Sequence, residues 1–323
     1  MSKPIAIIAG EPNSISSEII FKSWKLRKKY NHKIFFIIGN IKILNIQKKK
    51  LKYNINIRQI ENESKISSLD KNTLYVYNVS FSQKKPFQKI TKKSNKYILN
   101  CFKVAINLIK KKKIAGLINC PVSKETLFKN KSHGVTEFLS KKSGILGKEA
   151  MLIYNKDLSV LPVTTHTPLK MVTRILNKSL IVKKVFIVRD FYKKYFNKNP
   201  NIGILGLNPH NYSPNKDSEE KQIIIPAIKK LKKKGFKIKG PISPDTSFVI
   251  YKQYKLDVLI GMYHDQVLTS FKTVFKYDAI NITLGLPYIR ISPDHGVATN
   301  ILGKKIANPN SLIQAIKFFN NIK

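Results

Sequence analysis

Three of the six histidines each end an apolar run at the point where the chain becomes polar. His166, His210 and His264 follow the runs LPVTT, LNP and GMY. Open α/β sheets place their ligand groups at the carboxyl ends of strands. Three imidazoles with one open position are a common catalytic arrangement for zinc or a similar divalent ion. The alternative is that each histidine only completes a local turn, because the separations are wider than a metal-ligand motif requires.

A divalent ion at such a position has a definite use in redox chemistry. It polarises a substrate hydroxyl and stabilises the alkoxide from which a hydride can leave. The three histidines together are therefore compatible with metal-assisted redox chemistry, and a structural role for each of them stays the alternative.

The elements before these histidines read as an α/β sheet. Apolar runs predict buried strands, and apolar residues at three- and four-residue steps from Ile98 to Ile109 predict an amphipathic helix. Alternation of strands and helices is typical of mostly parallel sheets. The strands predicted in the first part of the chain are Ile5–Ala9, Lys33–Ile38, Leu74–Val79 and Ile114–Asn119.

From Met151 the pattern changes to a predicted hairpin, Met151–Tyr154 with Leu158–Thr164. Thr167 and Pro168 are expected to cap and begin a helix, and Asn310 or Ser311 to cap a closing helix. Two interwoven α/β domains around a cleft fit best. We expect an α/β cofactor-side domain of residues 1–125 plus 280–323, and a metal, substrate and dimerisation domain of residues 126–279. The remaining predicted elements are strands Asn201–Leu207, Leu256–Met262 and Ala279–Leu284, and a helix from Leu180 to about Tyr195.

The charge balance is unusual, with 60 Lys+Arg against 18 Asp+Glu and a formal net charge of +42 among 323 residues. Such a field attracts polyanions, so a lysine-rich nucleic-acid-binding protein is one alternative. Lysines are spread along the whole chain, however, and arginine, the usual reader of bases and phosphates, is scarce. Surface drift is the preferred interpretation, and the charge also suits an anionic substrate.

The composition also indicates in which cellular compartment the protein is expected. No apolar run reaches the ~18 residues that a bilayer-spanning helix needs. The apolar start of the chain meets Gly10, Glu11 and Pro12 at once, which indicates a first strand rather than a signal peptide. Two cysteines are too few for a disulfide framework. We expect a cytoplasmic protein that binds neither membrane nor nucleic acid.

Several longer motifs resemble one enzyme family. The stretches LPVTTHTPL, GLNPHN, GPISPDTSF, GMYHDQ and AINITLGLPYIRISPDHG occur in this order, with IAIIAGEP, NCPVSKETL and GVTEF before them. Together they are similar to the 4-hydroxythreonine-4-phosphate dehydrogenases over essentially the whole chain. That family is distantly related to the isocitrate and isopropylmalate dehydrogenases, so the resemblance implies their two-domain fold, without a classical Rossmann motif.

The resemblance also implies a set of ligands. His166, His210 and His264 match the family's metal ligands, one of them expected from the partner subunit of a homodimer that shares its active sites. Zinc is the expected ion, with magnesium or cobalt as alternatives. NAD is the expected cofactor, with NADP as an alternative. It would bind near Asp294, His295 and Gly296, where the sequence resembles the cofactor loop of isopropylmalate dehydrogenases.

Substrate positions carry over in the same way. Lys272, Asn281 and Arg290 occupy the family's substrate-binding positions, and Thr136 matches a residue that helps to hold the substrate. Arginine offers a forked donor set to phosphate or carboxylate, and lysine a mobile point charge. Lys272 is also a catalytic candidate. Asp245 and Asp265 are candidates for orienting metal ligands or relaying a proton, although structural carboxylates are an equal alternative.

Two positions depart from the family's pattern. Val135 stands where the family usually has a phosphate-proximal histidine, and His133 lies two residues earlier. The family's glycine-rich loop after the first strand here reads GEPNSISSE, with two glycines replaced by serine. Such serines are expected to stiffen or reshape the loop.

The implied activity is NAD-dependent oxidation and decarboxylation of 4-phosphooxy-L-threonine to an aminoketone phosphate in vitamin B6 synthesis. The nearest alternative is a sister dehydrogenase that acts on phosphorylated threonate or erythronate. An inactive relic is a third alternative, which the intact histidine, lysine and arginine positions disfavour.

Overall fold

The computed structural model describes residues 3–30, 32–128, 134–211 and 217–322. The chain forms two compact units. The N-terminal unit comprises Met1–Leu139 and Pro287–Ile322, and the central unit comprises Ser140–Leu286. Both units are mixed α/β structures, as the alternation of strands and helices predicted.

Twelve strands lie within the described residues. They are β1 (Ile5–Ile8), β2 (Phe35–Gly39), β3 (Ile57–Gln59), β4 (Leu74–Asn78), β5 (Gly116–Asn119), β6 (Ala150–Tyr154), β7 (Ser159–Thr164), β8 (Ile202–Leu205), β9 (Ile238–Ile242), β10 (Val258–Tyr263), β11 (Ile280–Leu284) and β12 (Arg290–Pro293).

Eleven α-helices accompany these strands in the described part of the chain. They are α1 (Ser16–Leu26), α2 (Ile41–Lys50), α3 (Asn95–Lys110), α4 (Lys124–Phe128), α5 (Val135–Lys142), α6 (Leu169–Ile175), α7 (Lys178–Phe196), α8 (Ile225–Lys233), α9 (Pro244–Ile250), α10 (His264–Phe275) and α11 (Asn310–Phe318). No helix in the described ranges has the length and apolar character needed to cross a membrane.

The N-terminal unit is built on parallel strands in the order β3-β4-β2-β1-β5-β12. Its central strands are almost wholly apolar, and every residue of β1 and β2 is buried. A parallel strand covered on both faces needs an apolar side chain at nearly every position, which explains these continuous runs. The amphipathic helix α3 buries Ile98, Cys101 and Phe102, as its spacing predicted.

The central unit has the strand order β11-β6-β7-β10-β8-β9. The predicted hairpin is confirmed, because β6 and β7 pair antiparallel with Ile153 opposite Val160. The strands β7, β10, β8 and β9 are mutually parallel. Leu158, Leu259 and Phe271 belong to the core behind them. Three of these neighbouring strands, β7, β10 and β8, therefore end at the same edge of this unit.

Two of the predicted helix caps are wrong. Helix α6 begins at Leu169 with Pro168 itself at the capping position, and the Thr167 hydroxyl donates to the carbonyl of Thr165 instead. Helix α11 begins at Asn310 after Pro309, without a side-chain cap. The Ser311 hydroxyl accepts a hydrogen bond from the backbone N–H of Asp294, a tertiary contact that outweighs the local capping preference.

Gly10 lies in the loop between β1 and α1 and has a backbone conformation that favours glycine. Its φ is +77°, and a Cβ there would lie 2.4 Å from the carbonyl oxygen of Pro121. The close approach allows Glu11 N–H to donate to that oxygen at 2.9 Å. The backbone beyond β1 and β5 is thus fixed by the absence of a side chain.

Gly10→Ala should lower the free energy of unfolding by roughly 3 kcal/mol, because it adds a backbone clash to the cost of a positive φ. Gly147→Ala is the matched control, since Gly147 has φ +78° and open space where the Cβ would stand. We expect this control to lose only about 1 kcal/mol. Urea unfolding followed by circular dichroism measures both variants, and equal losses would contradict the clash.

Candidate functional site

The three candidate metal ligands follow the three neighbouring parallel strands of the central unit. His166 lies two residues beyond β7, His264 comes directly after β10, and His210 lies in the short turn Pro209–Asn211 beyond β8. Because β10 pairs with β7 on one side and with β8 on the other, all three histidines follow strands that end at the same edge. This is the edge at which open α/β sheets bind ligands.

His166 and His264 face each other directly. Their ring centroids are 5.7 Å apart with an interplanar angle of 36°. Two imidazoles on one tetrahedral zinc, at Zn–N distances of about 2.0–2.1 Å, have centroids roughly 5 Å apart. The spacing of this pair therefore fits two ligands of a single ion. His166 has a left-handed backbone with φ 51°, which is uncommon outside glycine and is typical of functional positions.

His210 has a carboxylate partner rather than a second imidazole. Its Nδ1 is 3.2 Å from Oδ2 of Asp245, on α9. The Ser243 hydroxyl donates to Asp245 Oδ1 at 2.6 Å. This hydrogen bond, with the nearby His210 charge, lowers the pKa of the Asp245 carboxyl below its ordinary value despite slight desolvation. Asp245 is therefore an ionised acceptor for the His210 ring.

His264 has a similar arrangement, with Nδ1 3.0 Å from Oδ1 of Asp265. Metal-binding histidines commonly donate one ring N–H to a carboxylate, which fixes the tautomer and leaves the other nitrogen for the ion. Asp245 and Asp265 thus both occupy positions from which a carboxylate can orient an imidazole.

No group of three histidine, cysteine or acidic side chains that could hold a metal ion forms within the described ranges. The chain brings His166 and His264 together and pairs His210 with Asp245 instead. Nitrogen donors of this kind are ligands that zinc prefers, so the residues at this edge fit a divalent ion chemically.

A glutamine ties two of the histidine-bearing segments together. Gln266, in the first turn of α10, donates from Nε2 to the carbonyl of Gly206 at 2.8 Å. Its Oε1 accepts from the backbone N–H of Met262 at 2.7 Å. The end of β8, before His210, is therefore linked to the end of β10, before His264.

Arg290 is the central charged group of the N-terminal unit, and it is only 3% exposed. Its Nε donates to Asn119 Oδ1 at 2.7 Å, and its Nη1 donates to Thr136 Oγ1 at 3.5 Å. In the parallel register Arg290 stands opposite Leu117, so the Asn119 side chain lies on the same face of β5, one step along. Thr136 and Arg290, two of the predicted substrate-binding residues, are thus brought together.

Burial lowers the pKa of Arg290 from 12.5 to about 10, while the fields of Tyr288 and Glu137 act in the opposite direction. The guanidinium remains charged at neutral pH. A buried cation of this kind is costly unless its donors are satisfied, so its neighbours are part of the site.

Val135 is the first residue of α5 and is 5% exposed. Glu137, in the same turn, accepts a hydrogen bond from the backbone N–H of Gly134 through Oε2 at 2.7 Å. The valine side chain offers no hydrogen-bond donor at the start of this helix. His133, the candidate substitute for the missing imidazole, lies outside the described residues.

Lys272 and Asn281 belong to the central unit, and Lys272 does not lie beside His264. It stands eight residues further along α10, a rise of about 12 Å, and is exposed. Asn281 lies on β11 opposite Ile153, and its Oδ1 is buried without a hydrogen-bond partner in the described part of the chain. An unsatisfied buried amide oxygen is costly, which is consistent with a ligand contact.

The loop after β1 is held by its own side chains where the family has glycines. The Ser14 hydroxyl donates to the carbonyl of Glu11 at 2.7 Å and lies 2.7 Å from Ser16 Oγ. The buried Glu11 carboxylate accepts from the Ser94 hydroxyl at 2.7 Å and from Asn13 N–H at 3.1 Å. Burial raises the pKa of Glu11, and these hydrogen bonds oppose the rise. The serines are compatible with an ordered loop.

The candidate cofactor residues Asp294, His295 and Gly296 follow β12. The Asp294 backbone is fixed by Ser311, and the space beside the Gly296 Cα is open. Further along the chain, the backbone of this segment forms hydrogen bonds with side chains of α1. Glu18 Oε1 accepts from Ala307 N–H at 2.7 Å, and Lys22 Nζ donates to the carbonyls of Lys305 and Ala307.

Several neighbours of the candidate residues were not predicted from the sequence. A rule that considers every polar residue at the end of a strand would have found Asn119. The positions of Gln266 and Glu18 relative to the candidate residues depend on tertiary packing, and nothing in their local sequence indicates it.

Asn119→Leu should destabilise the protein by about 1–3 kcal/mol, because it leaves the buried Nε–H of Arg290 without its acceptor. Asn119→Asp is the matched control, since it keeps an acceptor oxygen and loses only the longer bond from Nδ2 to the carbonyl of Cys120. We expect the aspartate variant to retain most of the stability. If urea unfolding gave the leucine variant the stability of the parent, the assigned role of Asn119 would be wrong.

Comparison with known proteins identifies the family to which the chain belongs. The family model described as pyridoxal phosphate biosynthetic protein PdxA matches residues 31–319. A 4-hydroxythreonine-4-phosphate dehydrogenase from Sulfurihydrogenibium sp. is 38% identical over 318 residues, covering 97% of this chain and 96% of the relative. One from Aquifex aeolicus is 34% identical over 326 residues, covering 100% of this chain and 99% of the relative.

Solved structures give the same result for the fold. A putative 4-hydroxythreonine-4-phosphate dehydrogenase from Salmonella typhimurium has a TM-score of 0.85 at 29% identity, with 98% of each chain covered. A β-decarboxylating dehydrogenase from Thermococcus kodakarensis has a TM-score of 0.50 at 12% identity, covering 99% of this chain and 84% of the other. This second likeness supports only the fold, which is similar to that of a decarboxylating dehydrogenase, as predicted. The chain belongs to the PdxA family of pyridoxal phosphate biosynthetic proteins.

Proposed function

We propose that this chain is a divalent-metal-dependent, NAD-dependent dehydrogenase in pyridoxal phosphate biosynthesis. Its substrate is 4-phosphooxy-L-threonine and its product is 3-amino-2-oxopropyl phosphate. The observation that carries the proposal is the placement of three histidines at one sheet edge in a chain of this family. NADP is the alternative cofactor, and magnesium or cobalt are the alternatives to zinc.

The proposed reaction has two steps, an oxidation and a decarboxylation. The C3–H bond breaks and its electron pair passes as hydride to NAD, while the C3 hydroxyl loses a proton, so that C3 becomes a ketone. The C1–C2 bond of this β-keto acid then breaks and releases carbon dioxide. Its electron pair stays at C2, which takes a proton to give the aminoketone phosphate.

His166, His210 and His264 would hold the ion, and Asp245 and Asp265 would orient two of these imidazoles through Nδ1. A bound divalent ion supplies Lewis acidity toward the substrate's oxygen atoms. Asp245 and Asp265 are also close enough to the ligands to relay a proton. Lys272 is the further candidate for that role.

Arg290 is the proposed anchor for the anionic end of the substrate, together with Thr136, and the proposed substrate contacts of the central unit are Asn281 and Lys272. The buried guanidinium already has Nε occupied by Asn119, which orients the remaining donors. A planar fork can bind a phosphate or carboxylate at two points, whereas lysine supplies a single mobile charge. Asp294, His295 and Gly296 are the proposed cofactor contacts of the N-terminal unit.

We also propose a homodimer whose subunits share their active sites. Large apolar side chains are exposed on helices next to the histidines: Leu169 on α6 is 65% exposed and Val249 on α9 is 78% exposed. Helix α6 begins three residues after His166, and α9 carries Asp245. Exposed apolar side chains grouped near a site favour a protein interface there. The central unit would supply both metal ligands and dimer contacts, and the N-terminal unit the cofactor contacts.

The cytoplasm is the proposed compartment. Cys101 and Cys120 are both buried and unpaired, which is compatible with a reducing environment.

The purified protein should form NADH from 4-phosphooxy-L-threonine and release one carbon dioxide per NADH. A chelator should abolish turnover, and added zinc should restore it. His210→Ala should remove activity by several orders of magnitude while the circular dichroism spectrum stays unchanged. Turnover that survives both the chelator and this substitution would contradict the metal's role, and no turnover of the substrate under any metal would contradict the activity.

Val135 favours one specific alternative, a dehydrogenase of phosphorylated threonate or erythronate. The Val135 side chain has no hydrogen-bond donor for a phosphate oxygen, whereas the family usually has an imidazole at this position. Long-range attraction by the net charge of +42 can still draw an anion in, but it lacks direction and is screened by salt.

Val135→His should lower KM for 4-phosphooxy-L-threonine about tenfold and weaken its dependence on salt, since it restores one charge-assisted hydrogen bond. Val135→Leu controls for side-chain size and should leave KM close to that of the parent. Steady-state kinetics at several salt concentrations, with both phosphorylated substrates, measure the effect. An unchanged or higher KM for the histidine variant, with better turnover of phosphorylated threonate, would favour the alternative substrate.

A further inference from the structure

The turn that carries His210 has an unusual backbone. His210 and its successor Asn211 both adopt left-handed conformations, with φ of 54° and 56°. Two consecutive residues of this kind cost free energy and persist only where the surroundings hold them. One such support is Asn211 itself, whose Nδ2 donates to the carbonyl of Pro241 at 3.1 Å.

The carboxylate of Glu220 holds the two residues that precede the turn, Leu207 and Asn208. Glu220 is 2% exposed, and its Oε1 accepts from the backbone N–H groups of both Leu207 and Asn208 at 2.8 Å. Its Oε2 accepts from Asn208 Nδ2, also at 2.8 Å. Three donors within two residues of the chain thus converge on one side chain.

Glu220 is ionised at neutral pH. Burial alone would raise the pKa of this carboxyl, but the hydrogen bonds from Asn208 and Leu207 outweigh it and lower the pKa below its ordinary value. Hydrogen bonds to a carboxylate are shorter and stronger than those between neutral groups, so they can fix a strained turn. Glu220 also begins the π-helical turn Glu220–Ile224, a rare geometry that often occurs near functional sites.

The turn is tightly packed on its inner side. A Cβ added at Gly206 would lie 1.8 Å from Asn211 Oδ1 and 3.2 Å from Glu220 Oε1. Gly206 therefore lets the two anchoring side chains approach the same short stretch of backbone. The segment from Gly206 to Asn211 is fixed at both ends, with His210 presented between them.

We propose that Glu220 is a positioning residue for the metal site, which fixes the Leu207–Asn208 backbone so that His210 is presented to the ion. This inference rests on the proposed function, since it takes His210 as a ligand. Glu220 does not contact substrate, cofactor or ion in this scheme. Its effect is on affinity for the metal, because supporting residues of a ligand commonly change that affinity 10- to 100-fold.

The adjacent Glu219 provides a matched control. Among the described residues it accepts from Asn208 Nδ2 alone, at 3.0 Å, and from no backbone N–H of the turn. Glu219→Gln and Glu220→Gln change the net charge equally, so long-range attraction of a cation is matched. Their difference therefore reports on the backbone contacts of Glu220.

The test is zinc affinity of the full-length protein, measured by competition with a chromophoric chelator at a temperature where all variants are folded. We expect Glu220→Gln to weaken zinc binding at least tenfold and Glu219→Gln less than threefold. Amide hydrogen exchange at Leu207 and Asn208, followed without metal, should accelerate only in Glu220→Gln. If that variant does not fold, Glu220→Asp, which keeps the charge but draws the oxygens back, should show the same loss of zinc affinity.

Parental zinc affinity in a folded Glu220 variant would overturn this inference and leave the proposed function standing. Equal losses in the Glu219 and Glu220 variants would also overturn it, because charge alone would then explain the effect. If the parent bound zinc no better than His166→Ala does, the metal assignment itself would fail, and the role of Glu220 with it.

Discussion

Parallel pairing of β7, β10 and β8 is the constraint on which the candidate metal site depends. Strands that pair in parallel must end at the same edge, so residues far apart in sequence are placed along that edge without any local motif. His166, His210 and His264 lie in separate parts of the sequence, yet each of them follows one of these strands. The polar residues around them then refine this placement: Gln266 joins two strand ends, and Asp245 orients an imidazole.

The N-terminal unit buries one cation, the guanidinium of Arg290, in a chain that is rich in lysine. Surface lysines give the protein a large positive field, but they are mobile and strongly hydrated. Arg290 is instead enclosed, with one donor held by Asn119 and another directed at Thr136. In the proposed function, selective binding of an anionic group would depend on this fixed geometry, whereas the lysines would contribute attraction without direction.

Much of this organisation was predictable from sequence periodicity. The continuous apolar runs of β1 and β2 and the spacing within α3 predicted elements that the structure contains, and strand-end histidines indicated where to look for chemistry. Short elements were missed, such as β3 with three residues, because so few positions show no period. The caps of α6 and α11 were wrong because the Ser311 hydroxyl is used by Asp294 and Pro168 occupies a capping position itself. Glu220 could not be foreseen, since its partners Leu207 and Asn208 are defined only by the folded turn.

The central claim is that the three strand-end histidines hold one divalent ion. X-ray absorption at the zinc edge, on protein loaded with one zinc per subunit, tests it most directly. We expect three imidazole nitrogens at about 2.0–2.1 Å and one oxygen, with one imidazole lost in each single histidine-to-alanine variant. A spectrum with fewer than two imidazoles, or one that is unchanged in His166→Ala, His210→Ala and His264→Ala, would contradict it.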